Sequence, residues 1–359
     1  MRKSLVFKKN ELYLFLLLFL FSALSFAFLY CVGGDALNYE NDFQFFADSG
    51  TYLQVSQGTY PGLDINTPLM SVESTYLGPV LVLGLLQDNI YAVCLFNCVV
   101  FFFSITYICR VLQVNPLGVS LILLLSPLTV STLISINKEI FVFPFLALAL
   151  SGYYNKSLAQ MFLAILCCFL IRWHMFVFYM LVIFIISFRG FLRLDRKFLF
   201  ALLLLLFSFA YVSLMSFFSG VIDTAHASFE AYEGQGVGIF VHLNTLQERG
   251  FYFLVFPIKA VQLLFATGIK SFLEGRIFSM VDIYNYTFVA LHCIVSLVVF
   301  LMVLWRRKAS LNNDLFFFSL LFVLFFTLSP VFAARYYYLV YVVWVLVLMG
   351  APAKIPRID

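Results

Sequence analysis

LAQMFLAILCCFLI–RWH–MFVFYMLVIFIISF, residues 158–188, is a pair of apolar runs of 14 residues each, separated by Arg172-Trp173-His174. A 14-residue helix reaches roughly 21 Å, against about 30 Å for the hydrocarbon of a bilayer. Basic residues flank both outer ends, Lys156 before the pair and Arg189 after it. The stretch therefore reads as a helical hairpin whose tip, carrying Arg172, is sunk below the far surface of a membrane. A guanidinium at that depth needs an anion, and its planar fork suits phosphate. The plainer alternative is a side chain that snorkels to the interface.

The rest of the chain has the same character. Of 359 residues, 63% are hydrophobic, 11% are charged and 46 are Phe. No soluble fold hides that much apolar surface, so the expected class is an all-α, polytopic transmembrane bundle, one integral membrane domain over residues 1–359. The seven cysteines fall in or at the ends of apolar runs and indicate neither a disulfide framework nor a zinc site. No basic run is interleaved with exposed aromatics, so nucleic acid is not an expected partner. The apolar run at 12–32 follows Arg2, Lys3, Lys8 and Lys9 and is longer than a signal-peptide core, so it reads as a retained first helix.

Apolar runs of spanning length lie at 12–32, 90–109, 117–136, 198–218 and 283–304, and shorter ones at 139–154, 158–171, 175–188, 315–333 and 336–350. Ten spans place every basic cluster (Arg2/Lys3/Lys8/Lys9, Arg189/Arg193/Arg196/Lys197, Arg306/Arg307/Lys308, Lys354/Arg357) on one side. By the positive-inside rule that side is cytoplasmic, and both termini lie there. Two acidic loops, about 33–74 and 219–282, then face outside. Residues 75–86 and 251–267, the latter carrying Pro257 and Lys259, read as short interfacial helices on that outer side; if both span, the count is twelve.

Ionisable groups at membrane depth are expensive and mark function by default. In Phe45–Gln54, Asp48 and Tyr52 share a helix face, where a carboxylate could act as a general base; a solvated loop acid is the plain alternative. In Asn137-Lys138-Glu139 a Lys–Glu pair is squeezed into a tight turn, either neutralising itself or facing a watery cavity. Arg172 and His174 stand on the hairpin tip, and Arg335 opens the last helix beside Tyr336, Tyr337, Tyr338 and Tyr341. Arg249 closes the second acidic loop and could join an anion site, whereas His292 reads as a packed core residue. Together they describe one external cavity with carboxylates (Asp48, Glu139) and fixed cations (Lys138, Arg172, Arg335). Such a cavity suits a diphosphate leaving group and an acceptor hydroxyl that must lose a proton.

At these residues the chain resembles the multi-span GT-C-type glycosyltransferases, most of all bacterial O-antigen and exopolysaccharide (Wzy-like) polymerases. The resemblance rests on Asp48 and Tyr52, on Tyr76-Leu77-Gly78-Pro79 with Asn97, Ser126-Pro127 and Asn137-Lys138-Glu139, and on Arg172 and Arg335. It implies transfer of sugar from a polyprenyl (undecaprenyl) diphosphate carrier at the periplasmic face of the bacterial inner membrane, building lipopolysaccharide or another surface polysaccharide. Asp48 and Glu139 would be the catalytic acids. Tyr52, Lys138, Arg172, His174, Arg249 and Arg335 would bind substrate. Many such enzymes carry adjacent acidic pairs in the first loop, and Asp48 has no adjacent acid; no cofactor is expected and a metal is not indicated. Beyond the carrier-linked oligosaccharide and membrane lipid, a chain-length regulator or flippase of the same pathway would be a partner. The rival reading is a lipid-linked oligosaccharide flippase, which would more often show internal repeats; none is visible here.

Overall fold

A computed structural model of the chain describes residues 8–32, 49–58, 76–192, 194–213, 239–266, 280–329 and 334–350. Helix is the only regular structure among them. Four helices are long and apolar enough to cross a membrane (Lys9–Cys31, Ile90–Leu112, Arg196–Ser213 and Thr287–Trp305), and shorter apolar helices accompany them. Phe19, Leu24, Phe103, Phe184 and Phe209 are each more than half exposed. An apolar exterior of that kind is compatible with a lipid surround. The chain divides into two compact units, Met1–Leu181 with Gly275–Phe288 and Met349–Asp359, and Val182–Glu274 with Val289–Leu348.

In the first unit, α1 (Lys9–Val32) and α4 (Ile90–Leu112) pack antiparallel. Arg110 at the end of α4 grips Glu11 at the start of α1 through two contacts of 2.7 Å. Farther along, Phe15 meets Phe102 and Phe26 meets Tyr91. Ser22 and Ser25 of α1 face Cys94 and Cys98 of α4, a seam of small residues that lets the two helices approach. The two cysteines are free and buried, as core residues would be.

The run 117–136, expected as one straight span, is broken. Helices α5 (Pro116–Leu124) and α6 (Pro127–Ile134) meet at 98°. Ser126 stands at the N-cap position of α6 with extended backbone and Pro127 occupies the first turn, where its missing N–H costs nothing, so this pair starts a new helix instead of continuing the old one. Helix α6 stops short inside the unit. The Asn97 side-chain amide donates to the carbonyls of Ser135 (2.8 Å) and Thr132 (3.1 Å), satisfying groups that a helix end leaves bare. Asn97 is seven residues in from Ile90, so α6 ends about 10 Å below the first residue of α4. A 3₁₀ turn, Lys138–Phe141, then leads into α7 (Val142–Asn155). Lys156 in the left-handed region (φ 53°) turns the chain into α8 (Leu158–Ile171), which returns alongside α7. Phe101 against Phe143 and Tyr107 bonded to Ser151 (2.7 Å) show that α7 runs parallel to α4, towards the Glu11–Arg110 end.

The short segment 75–86 forms α3 (Leu77–Leu86), and α2 (Ser49–Ser56) lies within the first acidic loop. Helix α9 covers Trp173–Leu192.

In the second unit, α10 (Arg196–Ser213), α11 (Ile239–Glu248), α12 (Tyr252–Val261), the second half of α13 (Met280–Trp305), α14 (Asp314–Phe326) and α15 (Tyr338–Met349) surround a core centred on α15, buried from Tyr338 to Leu348. Arg196, a member of the basic cluster at 189–197, is buried. It pairs with Asp314, donates to the Leu311 carbonyl at 2.9 Å and lies 5.4 Å over the Phe317 ring, tying the start of α10 to the start of α14. His292 packs against Tyr338 and Tyr341.

Lys259 made 251–267 hard to read as a span, and the structure gives the physical reason. Its ammonium is fully buried and donates to Gln247 Oε1 (2.8 Å) and the Ser329 carbonyl (3.1 Å), while Gln247 donates to the Leu328 carbonyl (2.9 Å). The cation thus serves the bare carbonyls beyond the end of α14, where the helix dipole favours positive charge. Nearby on the chain, Asn244 is buried with both amide atoms lacking a hydrogen-bond partner. Asn244→Leu, similar in shape, is therefore expected to stabilise the protein by about 1 kcal/mol; a lower thermal unfolding midpoint would contradict this.

Candidate functional site

The buried polar residues of the first unit meet where α6 ends and α8 ends. Asn137 accepts from the Glu139 amide and starts the 3₁₀ turn, so the two charged residues of the tight turn enter the interior together. Lys138 and Glu139 are 5% and 4% exposed. Helix α8 arrives from the opposite direction and stops at Arg172, whose extended backbone separates it from α9. Arg172 is 8% exposed, and its Nη2 lies 3.2 Å from Glu139 Oε1.

Glu139 does not neutralise its neighbour Lys138 across the turn, as the self-satisfying reading supposed. It takes Arg172, 33 residues away, as its ion-pair partner. The anion that the sunken arginine was expected to need is, in this structure, an internal carboxylate. Only one Glu139 oxygen is engaged: Oε2 is buried and accepts no hydrogen bond. His174 lies within the electrostatic influence of both Arg172 and Lys138, and its ring stacks on Trp173 with centroids 3.8 Å apart. The indole N–H of Trp173 is likewise buried without an acceptor.

Two further contacts hold this end of the unit. Ser49, the first residue of α2, donates to the Ile136 carbonyl at 3.0 Å, just before the charged turn. Gly78 lets α3 press on the end of α8: a Cβ there would come within 2.2 Å of the Leu170 carbonyl oxygen and 2.7 Å of the Phe141 ring. The Tyr76-Leu77-Gly78-Pro79 stretch therefore acts through close approach of backbones. Tyr52 is fully buried, edge-on to Tyr76 at 5.7 Å, and serves packing in the same unit.

Lys138, Glu139, Arg172 and His174 are thus brought together. Asp48 lies outside the described residues. Arg249 and Arg335 belong to the second unit, Arg249 exposed at the end of α11 and Arg335 half-buried with its guanidinium 5.7 Å over the Tyr336 ring. Among the described residues no three His, Cys, Asp or Glu side chains converge as a metal site would require. Trp173, between Arg172 and His174, is a functional group that ionisable residues alone do not reveal. Its signal was an indole N–H at a helix break, where no backbone carbonyl is guaranteed to meet it.

Chemically, the cluster can orient a carboxylate with one oxygen free against the Arg172 guanidinium, with Lys138 buried next in the turn. No protein-family model, curated protein or solved structure matches the chain.

Proposed function

We propose that the chain is a membrane glycosyltransferase that takes a sugar or oligosaccharide from a polyprenyl diphosphate carrier, and within that class a polymerase of O-antigen or other surface-polysaccharide repeat units. The observation that carries this reading is Glu139: one oxygen fixed by Arg172 at 3.2 Å, the other buried and accepting nothing. A carboxylate held in orientation with a free lone pair is what deprotonation of a hydroxyl nucleophile needs. The acceptor hydroxyl would give its proton to Glu139 Oε2 as its oxygen bonds the anomeric carbon and the bond from that carbon to the phosphate oxygen breaks. Lys138 and Arg172 would stabilise the charge gathering on the departing diphosphate.

The two ends of the first unit support an orientation. Arg110 and Lys156 lie towards one end, the Glu139–Arg172 pair towards the other. With the basic end cytoplasmic, the pair faces outwards in a bacterial inner membrane, and both termini lie inside. Ten spans follow if the broken pair α5–α6 and the shorter helices α7, α8, α9, α14 and α15 all cross. A sunken site is also reasonable for a substrate whose reactive diphosphate is anchored by a lipid tail.

The test is direct. The full chain, reconstituted in lipid nanodiscs with a synthetic polyprenyl-diphosphate-linked repeat unit, is expected to build a ladder of longer glycans and release the polyprenyl diphosphate. Lys138→Gln is expected to slow this by roughly ten-fold or more. Absence of a ladder from the folded wild-type protein, with several repeat-unit structures supplied, would sink the reading.

A further inference from the structure

The first unit contains two carboxylate–arginine pairs, and they are built differently. Glu11 and Arg110 make a two-point fork, 2.7 Å at each contact, and Glu11 also accepts from the Lys8 amide at 3.0 Å. That geometry is at the short end for charge-assisted bonds and characteristic of a fastener. Glu139 and Arg172 touch at one point only, at 3.2 Å, although both are more deeply buried than Arg110. Burial strengthens a pair and ordinarily selects the best geometry, because two desolvated charges must recover their lost hydration from each other. A single long contact there, with the second carboxylate oxygen unmatched, is the opposite.

We infer that the Glu139–Arg172 pair is an exchangeable latch: a diphosphate ligand replaces Glu139 on Arg172 and thereby releases the Glu139 carboxylate. This rests on the glycosyltransferase reading and adds to it the order of events at the site. A diphosphate presents several oxygens and more negative charge than a carboxylate, so it can engage the guanidinium fork at two points where Glu139 engages it at one. Lys138, next to Glu139 in the same turn, adds a second positive charge that favours the incoming diphosphate. Once Arg172 has turned to the diphosphate, both Glu139 oxygens are available to an acceptor hydroxyl. Without the donor, Glu139 stays tied to the arginine through Oε1. The exchange makes no covalent bond: an internal anion leaves a cation and an external one takes its place.

The latch predicts that the internal carboxylate competes with the ligand. Removing its charge must therefore tighten diphosphate binding, whereas deletion of an ordinary structural contact weakens it. The probe is farnesyl diphosphate, titrated calorimetrically into the full chain in nanodiscs. Glu139→Gln is expected to bind it at least ten-fold more tightly than the wild type, and Arg172→Lys, which keeps the charge but loses the fork, at least ten-fold more weakly. If Glu139→Gln is too unstable to titrate, Glu139→Asp, one methylene shorter and so a weaker competitor, is expected to shift affinity in the same direction. Unchanged or weaker binding by the Glu139 variants, with Arg172→Lys still weakened, overturns the latch and leaves the glycosyltransferase reading standing. No binding by wild type or variants overturns both. Inorganic pyrophosphate, titrated in parallel, separates recognition of the diphosphate from that of the prenyl tail: the latch requires the Glu139→Gln gain with both probes, and a gain confined to the prenyl compound overturns it.

Discussion

Glu139→Gln is expected to lower kcat for glycan transfer by about 10²- to 10⁴-fold, the range lost when a positioned general base is removed. The substitution is nearly isosteric. Glutamine keeps an oxygen for the contact from Arg172, now 3.2 Å to Glu139 Oε1, and loses only the ability to take a proton. The split between constants separates chemistry from architecture. If Glu139 is the base, kcat falls and KM for the carrier-linked donor stays level or drops, since the donor no longer competes with a carboxylate. If Glu139 merely braces the end of α8, KM rises with the fall in kcat and the protein unfolds at a lower temperature. The measurement is the initial rate of polyprenyl diphosphate release per folded molecule, over a range of donor concentrations. A Glu139→Gln enzyme within ten-fold of wild-type kcat would remove Glu139 from the chemistry and return attention to Asp48.

How far this was readable from the sequence depended on the range of the interaction. Residue type and run length revealed the helical, apolar character, because every backbone group in lipid must be satisfied within its own segment. The same logic flagged Lys138, Glu139 and Arg172, as each is a charge where none is cheap. Their pairing was not legible. Glu139 has Lys138 beside it, and its choice of Arg172 depends on α7 and α8 folding into a hairpin whose two ends stop at the same level. The break at Ser126-Pro127 escaped because an apolar run carries no information on direction: a Ser cap followed by Pro is the usual way to begin a helix, and here it begins one inside a run that looked continuous. The pairing of Arg196 was not legible for a related reason. Counting Lys and Arg places loops by charge, yet an individual arginine can leave the loop when a carboxylate and a bare carbonyl, here Asp314 and Leu311, wait at the start of another helix. Lys259 likewise looked out of place only while its destination, the carbonyls beyond α14, was unknown.

Polar groups in the first unit are therefore of two kinds. Some terminate backbone segments. Asn97 does so for α6 through its amide N–H groups, though its own Oδ1 is buried and accepts nothing, and Ser49 takes the Ile136 carbonyl. Others keep unused capacity. Glu139 Oε2 and the Trp173 indole N–H are the clearest, an acceptor and a donor belonging to residues that flank Arg172 in space and in sequence respectively. An unpaired buried polar atom costs about 1–3 kcal/mol. Retaining both beside one arginine is a cost that a hydroxyl-bearing ligand, donating to Glu139 and accepting from Trp173, would offset.

Arg172→Met is expected to destabilise the protein by about 3–5 kcal/mol, the range for removing one member of a buried ion pair. The size of the effect does not contradict the looseness of the contact. A 3.2 Å single-point bond is weak as a bond, but its loss strands the Glu139 carboxylate at 4% exposure without the Arg172 guanidinium, and the cost is that of the uncompensated charge. Methionine nearly fills the space of the arginine stem, so a cavity is not the cause. The second change settles this: Arg172→Met with Glu139→Leu removes both charges and is expected to recover at least half of the loss, because a well-packed apolar pair is often as stable as the ion pair it replaces. Thermal unfolding of the reconstituted proteins, followed by tryptophan fluorescence, measures both. A single variant within about 1 kcal/mol of wild type would mean that Glu139 is not held as a buried charge. A double variant no better than the single would place the damage in lost packing at the end of α8, where the Leu170 carbonyl already meets α3 across Gly78 with no room to adjust.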